Sequence, residues 1–295
     1  MTTRLAQAPG SAGRAATHFR GGDGPPLVLI HGYANTWRVW EPVLPALTKR
    51  HDVLAPTLCG HFQGEQLGEG VEATVGALTD GVERAMDAAG FDTAHVCGNS
   101  LGGWVALDLG RRGRARSVTC LAPAGGWEHG SRADRRLRRM FTIGRKLNDR
   151  LLPYAERLVR RPGVRKLMFR DVMRHPERLT PAQAAARIEA LSGCTVFWEL
   201  MDTIMRDGGP DWLGEVDAPT LVAWPEFDRI LPEKGHSERF RELVRGAEWR
   251  IVPGVGHVPM ADNPALVSRT ILGWAAEHER SGSEKVLERP GPVGL

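Results

Sequence analysis

Residues 93–103 read Thr93-Ala94-His95-Val96-Cys97-Gly98-Asn99-Ser100-Leu101-Gly102-Gly103, and their reading decides the fold. An apolar run with the pattern of a buried strand stops at Gly98, and a run with helical spacing begins after Ser100. Gly98 and Gly102 sit two residues either side of the serine, where a strand-to-helix turn too tight for ordinary side chains needs hydrogen in place of Cβ. Such a turn lifts one hydroxyl clear of the sheet. A free serine hydroxyl is a poor nucleophile at neutral pH, so the reading calls for a histidine and a carboxylate further along the chain.

Working outward, Leu27-Val28-Leu29-Ile30 is a continuous aliphatic run that ends abruptly at His31-Gly32, the pattern of a strand buried on both faces. An edge strand is expected over 15–20 and a short strand over 53–55, stopped by Pro56. Apolar stripes predict helices over 37–49 and 71–89, and 57–70 reads as a surface loop. After the serine come a helix to about Arg112 and a strand over 117–121. Later come a strand over 220–224, a helix over 233–245, a strand over 249–252 and a final helix opened by Asn263-Pro264 that runs to about His278. Regular alternation of apolar strands and crossover helices predicts an α/β fold with a mostly parallel sheet covered on both sides. Between 127 and 207 the alternation breaks into helical stretches punctuated by Pro153, Pro162, Pro176 and Pro181. The expected organisation is a body of residues 1–126 and 208–280, a helical insert over 127–207 and a loose tail over 281–295.

Three side chains follow separate predicted strands: Ser100, Asp228 and His257. In an open parallel sheet the crevice lies at that edge, so residues distant in sequence converge there. With this order of serine, acid and histidine, the chain resembles the α/β-hydrolase fold family. Gly98-Asn99-Ser100-Leu101-Gly102 looks like its Gly-x-Ser-x-Gly elbow, His31-Gly32 like its oxyanion loop and Gly256-His257 like its terminal histidine loop. The resemblance implies a sheet of about eight strands, with a helical lid inserted after the sixth, and selects Asp228 over Glu226 as the acid. It also implies the roles. Ser100 attacks a carbonyl carbon, His257 shuttles the proton, Asp228 orients the imidazole, and the backbone N–H groups of Tyr33 and Leu101 hold the oxyanion. His31 is expected to be a structural hydrogen-bonder, and His61 has no assigned role. Departures from the family pattern fall at Thr57, Pro225 and the irregular 60–64 segment.

Composition sets the remaining bounds. With 42% apolar and 25% charged residues the chain has ample core. Met1 to Gly24 lacks an apolar leader and no stretch approaches eighteen uninterrupted apolar residues, so a soluble, cytoplasmic protein without a transmembrane segment is expected. Cys59, Cys97, Cys120 and Cys194 have no short paired spacing, which suits reduced thiols rather than disulfides or a zinc site; no metal and no cofactor are expected. The net charge of +4 hides an asymmetry: residues 129–187 carry +12 and the remainder −8. Two readings of this basic run stay open, solvated helices decorated with arginine, or arginines facing inward that favour a carboxylate- or phosphate-bearing small molecule. Nucleic acid is not expected as a partner, because no interleaved aromatics or recognised motif accompany the charge. Oligomeric state is not legible. Phe197, Met201, Ile204 and Met205 share one face of the last insert helix, suited to packing the insert on the body and compatible with lining a crevice.

Three functions fit. The first is a serine hydrolase of carboxylic esters or lactones acting through an acyl-enzyme. The second is a carbon–carbon bond hydrolase of ring-cleavage dienoates, a branch that Gly98-Asn99-Ser100 also resembles although its usual Trp and Asn positions are missing here. The third is a non-catalytic binding protein on the same fold. Serine rather than aspartate at the elbow speaks against the dehalogenase and epoxide-hydrolase branches, whose nucleophile is a carboxylate.

Overall fold

Seven strands form one sheet in the computed structural model, which describes residues 16–287. They are β1 (His18–Gly21), β2 (Pro26–Ile30), β3 (Asp52–Pro56), β4 (Ala94–Asn99), β5 (Ala115–Leu121), β6 (Thr220–Pro225) and β7 (Glu248–Val252). Their order is β1-β3-β2-β4-β5-β6-β7, with β1 antiparallel to β3 and every other pair parallel. The expected α/β architecture is therefore present, with seven strands among the described residues and the insert following the fifth of them.

Both faces of the sheet are buried. Val28 and Ile30 join one apolar cluster, while Leu27 and Leu29 join the other, as strand alternation dictates. Each of these side chains is at most 1% exposed and contributes roughly 1.5–3 kcal/mol of burial free energy. The register then positions the site. Ile30 pairs with Gly98, so His31-Gly32 and Asn99-Ser100 leave the sheet side by side. Asn99 pairs with Leu121, Leu121 with Ala223 and Pro225 with Val252, which brings the ends of β2, β4, β6 and β7 to one edge.

The covering helices are α1 (Leu44–Leu47), α2 (Val75–Ala89) and α3 (Leu101–Arg111). The helix expected over 37–49 is split into a 3-10 turn over Trp37–Trp40 and the single turn of α1. Pro45 is the cause, because its missing N–H cannot bond back to the preceding turn. The helix α2 begins at Val75 rather than Val71, since Thr74 caps it by accepting the Ala77 N–H at 3.1 Å. Beyond β5 come α4 (Arg132–Leu151), α5 (Ala155–Leu158), α6 (Pro162–Phe169), α7 (Pro181–Gly193) and α8 (Phe197–Asp207). Pro162 and Pro181 stand at the first position of α6 and α7, and Thr180 with Gln183 forms a reciprocal capping box on α7. The insert packs into both clusters, through Phe197 and Met201 on one side and Met173 and Ile188 on the other, so it straddles the sheet edge where the strands end.

The remaining helices are α9 (Glu238–Leu243), α10 (Pro259–Asp262) and α11 (Pro264–Leu287). The helix α9 is shorter than expected, because Pro232 and Gly235, the latter at φ +89°, occupy the stretch before it. Helix α11 runs on past His278, so residues 281–287 of the expected loose tail are helical; no proline interrupts the chain until Pro290. The rest of that tail, residues 288–295, and residue 15 of the expected edge strand lie outside the described residues. No helix among the described residues is long and apolar enough to cross a membrane.

Candidate active site

Ser100 sits between β4 and α3 with φ +57° and ψ −119°, a backbone conformation that costs an ordinary residue of order 1–3 kcal/mol. The turn is walled by backbone on every side. A Cβ on Gly98 would lie 1.9 Å from the Gly102 carbonyl oxygen, and one on Gly102 would lie 2.2 Å from the Ile30 carbonyl oxygen. The strained conformation is held by hydrogen bonds: the Ser100 N–H donates to the Leu121 carbonyl at 3.0 Å, and the Ser100 carbonyl accepts from Gly103 and Ala124 at 2.8 and 2.9 Å. Leu101 then opens α3, where the first N–H groups have no intrahelical partner and the helix dipole is positive.

His257 and Asp228 meet as the sequence order implied. The histidine donates from Nδ1 to Asp228 Oδ2 at 2.6 Å, and both side chains are almost wholly buried. Asp228 Oδ1 accepts the N–H groups of Ile230 and Leu231 at 2.9 and 2.8 Å, which aims the other oxygen at the imidazole. With Nδ1 the donor, Nε2 is left as the basic nitrogen. Ser100 and His257 line one cavity of about 280 Å³, together with Gly32, Tyr33, Arg145 and Arg187. No hydrogen bond joins the Ser100 hydroxyl to His257 among the described residues; in unliganded sites such bonds often close only around a substrate.

The loop after β2 forms the facing wall. Gly32 approaches so closely that a Cβ there would lie 3.1 Å from the Ser100 Cβ. His31 is fully buried; its Nδ1–H donates to the Gly32 carbonyl at 2.8 Å while Nε2 accepts the Leu58 N–H at 2.9 Å. Both nitrogens are thereby committed, and burial pushes its pKa well below 6.5, so it is a neutral brace rather than a base. His61 packs edge-on against His31 and Tyr33, bonds the Cys59 carbonyl through Nδ1, and is pushed by burial down to about 4. The Tyr33 hydroxyl donates to the Phe197 carbonyl, and its ring lies against Phe141 and Phe197.

Three residues that sequence reasoning passed over hold this arrangement together. Asn99 donates through Nδ2 to the carbonyls of Leu121 and His257 at 3.0 and 2.9 Å, tying the elbow to the histidine loop. Asp262 accepts N–H bonds from Gly256, Arg174 and His175, all at 2.8 Å, which fastens the histidine loop to the insert. Arg136 of α4 donates to the Arg229 and Ile230 carbonyls, so the insert also holds the Asp228 loop. Much of the basic run is thus structural: Arg165 is buried against the carbonyls of Val159, Arg160 and Glu177, and Arg145 pairs with Asp149 at 2.9 Å. Met201, Ile204 and Met205 do more than pack, since with Leu101 and Trp127 they line a second, apolar cavity of about 30 Å³ that also reaches Ser100. All four cysteines are buried free thiols, and no group of three or more His, Cys, Asp or Glu among the described residues is arranged to hold a metal ion.

A family model described as the alpha/beta hydrolase family matches residues 27–270, from the start of the second strand into the last helix. The chain belongs to this family. It is similar to the epoxide hydrolase EphH of Mycobacterium tuberculosis, with 34% identity over 201 residues that cover 68% of this chain and 94% of the relative. It is also similar to a putative carbamate hydrolase, RutD, of Azorhizobium caulinodans, with 26% identity over 87% of this chain and 93% of that one. Among solved structures, the 2-hydroxy-6-oxo-6-phenylhexa-2,4-dienoate hydrolase of Rhodococcus sp. strain RHA1 superposes with a TM-score of 0.69 over 89% of this chain and 94% of that one; at 22% identity it shows a shared fold. These relatives are named hydrolases, and this alpha/beta hydrolase is an enzyme of the same class rather than a binding protein on the fold.

Proposed function

We propose that this enzyme hydrolyses a small carboxylic ester or lactone through an acyl-enzyme, with Ser100 as nucleophile, His257 as general base and acid, and Asp228 as the group that orients the imidazole. The observation that carries the reading is the buried Nδ1–Oδ2 contact of 2.6 Å between His257 and Asp228 at the wall of a cavity shared with the glycine-walled serine. As Ser100 Oγ attacks the carbonyl carbon, Nε2 of His257 takes the hydroxyl proton, and the imidazolium formed is stabilised by Asp228. The negative oxygen is received by the N–H groups of Leu101 and Tyr33. The proton then passes to the leaving alcohol, and water, activated by the same imidazole, releases the acid.

The elbow residue also favours an ester over an epoxide. A carboxylate that opens an epoxide forms an ester, whose carbonyl water can then attack. Serine opening an epoxide would leave an ether with no carbonyl, and turnover would stop. The similarity to a named epoxide hydrolase therefore supports the scaffold and not that reaction. A carbamate carbonyl is open to the same serine attack as an ester. The helical insert acts as a lid that excludes water from the cavity, and the small apolar pocket beside Leu101 takes a short alkyl group.

The test is turnover of p-nitrophenyl acetate together with labelling by a fluorophosphonate. Stoichiometric modification of Ser100 is expected; a folded sample that stays unlabelled and inactive across esters, lactones and carbamates would sink the reading. Bleaching of a yellow ring-cleavage dienoate, with no ester turnover, would move the assignment to carbon–carbon hydrolysis.

A further inference from the structure

Arg187, on α7, differs from the other arginines of the basic insert. It lines the cavity shared by Ser100 and His257, its Nε is buried without a hydrogen-bond partner, and no carboxylate among the described residues lies within ion-pair distance of it. Arg145, the other arginine in the wall, is already engaged. It is paired with Asp149 at 2.9 Å, donates to the Ser192 and Cys194 carbonyls at 2.9 and 3.3 Å, and lies over the Phe197 ring at 4.9 Å. Burial pushes Arg187 down to about 10, a shift that Glu41 and Asp262 oppose only at longer range. Neither is free to pair with it: Glu41 bonds Arg38 at 2.7 Å, and Asp262 is occupied by three backbone N–H groups. Arg187 is half-buried, with Nε closed off and the side chain lining the cavity, and an unpaired cation drawn partly out of water destabilises a fold; here it has been placed where a substrate must sit.

We propose that Arg187 binds a carboxylate on the substrate, so that the ester or lactone cleaved at Ser100 carries a free acid group at its far end. The inference rests on the serine-hydrolase reading above and narrows it to a substrate class. The planar guanidinium fork matches a carboxylate through two parallel N–H···O bonds. A single negative charge fits the site better than a phosphate dianion. Arg187 is the one unengaged cation in the wall among the described residues, and Asp171 faces the same cavity.

The experiment compares matched ester pairs on the purified full-length enzyme. One pair is 3-acetoxybenzoate against 3-acetoxybenzamide, with the acid on the leaving group; the other is monomethyl adipate against its ω-amide methyl ester, with the acid on the acyl side. In at least one pair the carboxylate substrate is expected to have the higher kcat/KM by about 10- to 100-fold, the range for a charge-assisted pair. In Arg187→Gln that ratio collapses toward one, and in Arg187→Lys it is intermediate, because the charge remains and the fork is lost. Independently of turnover, 3-hydroxybenzoate or adipate should raise the melting temperature of Ser100→Ala, while the corresponding amides should not. That measurement stands even if Arg187→Gln fails to fold. Normal fluorophosphonate labelling of Ser100 with no carboxylate preference in either pair would overturn the proposal while leaving the hydrolase reading intact. A preference for 3-acetoxyphenyl phosphate over the carboxylates would overturn it as well. Absence of labelling would instead count against the hydrolase reading, and the melting shifts would still decide whether the cavity takes an acid.

Discussion

Replacing Asp262 by asparagine should damage both stability and turnover, although the residue touches no part of the reacting group. Its carboxylate accepts three N–H bonds, with Gly256 and Arg174 on Oδ2 and His175 on Oδ1. Asparagine can place its one carbonyl oxygen at the Oδ2 position and keep two of them. Its NH2 group then points at the His175 N–H, donor against donor. One charge-assisted bond, worth about 1.5–3 kcal/mol, is lost outright, and the other two weaken to neutral ones, for a total of about 2–4 kcal/mol. For a chain of 295 residues that corresponds to a fall in Tm of about 3–6 °C. Because Gly256 precedes His257, the imidazole should lose its alignment, and kcat for p-nitrophenyl acetate should drop by about 10- to 100-fold, as small misplacements of catalytic groups do. The checks are the urea midpoint and the initial rate at saturating ester. An Asp262→Asn enzyme with the wild-type midpoint and the wild-type kcat would show that this carboxylate does not carry the histidine loop, and the reasoning would fail.

Other substitutions test the site and the turn that displays it. Ser100→Ala should fold normally, as judged by its urea midpoint, and lose ester turnover by roughly four orders of magnitude or more, while Asp228→Asn should lose about 10³- to 10⁴-fold in kcat by turning the imidazole to the wrong tautomer. Gly98→Ala should yield no soluble enzyme or cost more than about 3 kcal/mol, because its methyl would lie 1.9 Å from a backbone oxygen that cannot move without unwinding α3; a well-folded, active variant would contradict the geometry. Stability should fall on acidification. His61 has a folded pKa near 4 against 6.5 in the unfolded chain, so the unfolded state binds the extra proton. The stability from its neutral form is full above about pH 6.5, declines as pH falls and is gone below about 4, a difference of roughly 3 kcal/mol. In His61→Asn, which removes the titrating ring, the urea midpoint should change less between pH 7.5 and 5 than in the wild type.

The parts of the molecule legible in sequence are those written in side-chain type and spacing. Alternation gave the parallel sheet, and the paired glycines about Ser100 announced a turn that the structure shows to be closed off by the Ile30 and Gly102 carbonyls. The meeting of His257 with Asp228 followed from strand order. What escaped were contacts made to main-chain atoms. Asn99, Asp262 and Arg136 bond main-chain carbonyls or N–H groups, which nearly every residue carries, so no motif marks them. The basic run was ambiguous for the same reason: net charge does not distinguish an arginine spent on carbonyls, such as Arg165, from one left open to a cavity, such as Arg187. The end of α11 was missed because a polar segment without proline remains free to continue a helix already begun.

The fastening of the insert to the loops of Asp228 and His257 sets a rule for engineering this enzyme. Segments exchanged between relatives to alter selectivity are often treated as interchangeable modules, but this one is hydrogen-bonded to the backbone or side chains of the segments that carry Asp228 and His257. A transplanted insert would need backbone donors in the places of Arg174 and His175, and a guanidinium in the place of Arg136, before its own cavity wall could be read out as a new preference. Grafts that keep the 172–175 segment and the Arg136 position should remain active, so variation can be concentrated in α7, where Arg187 lies.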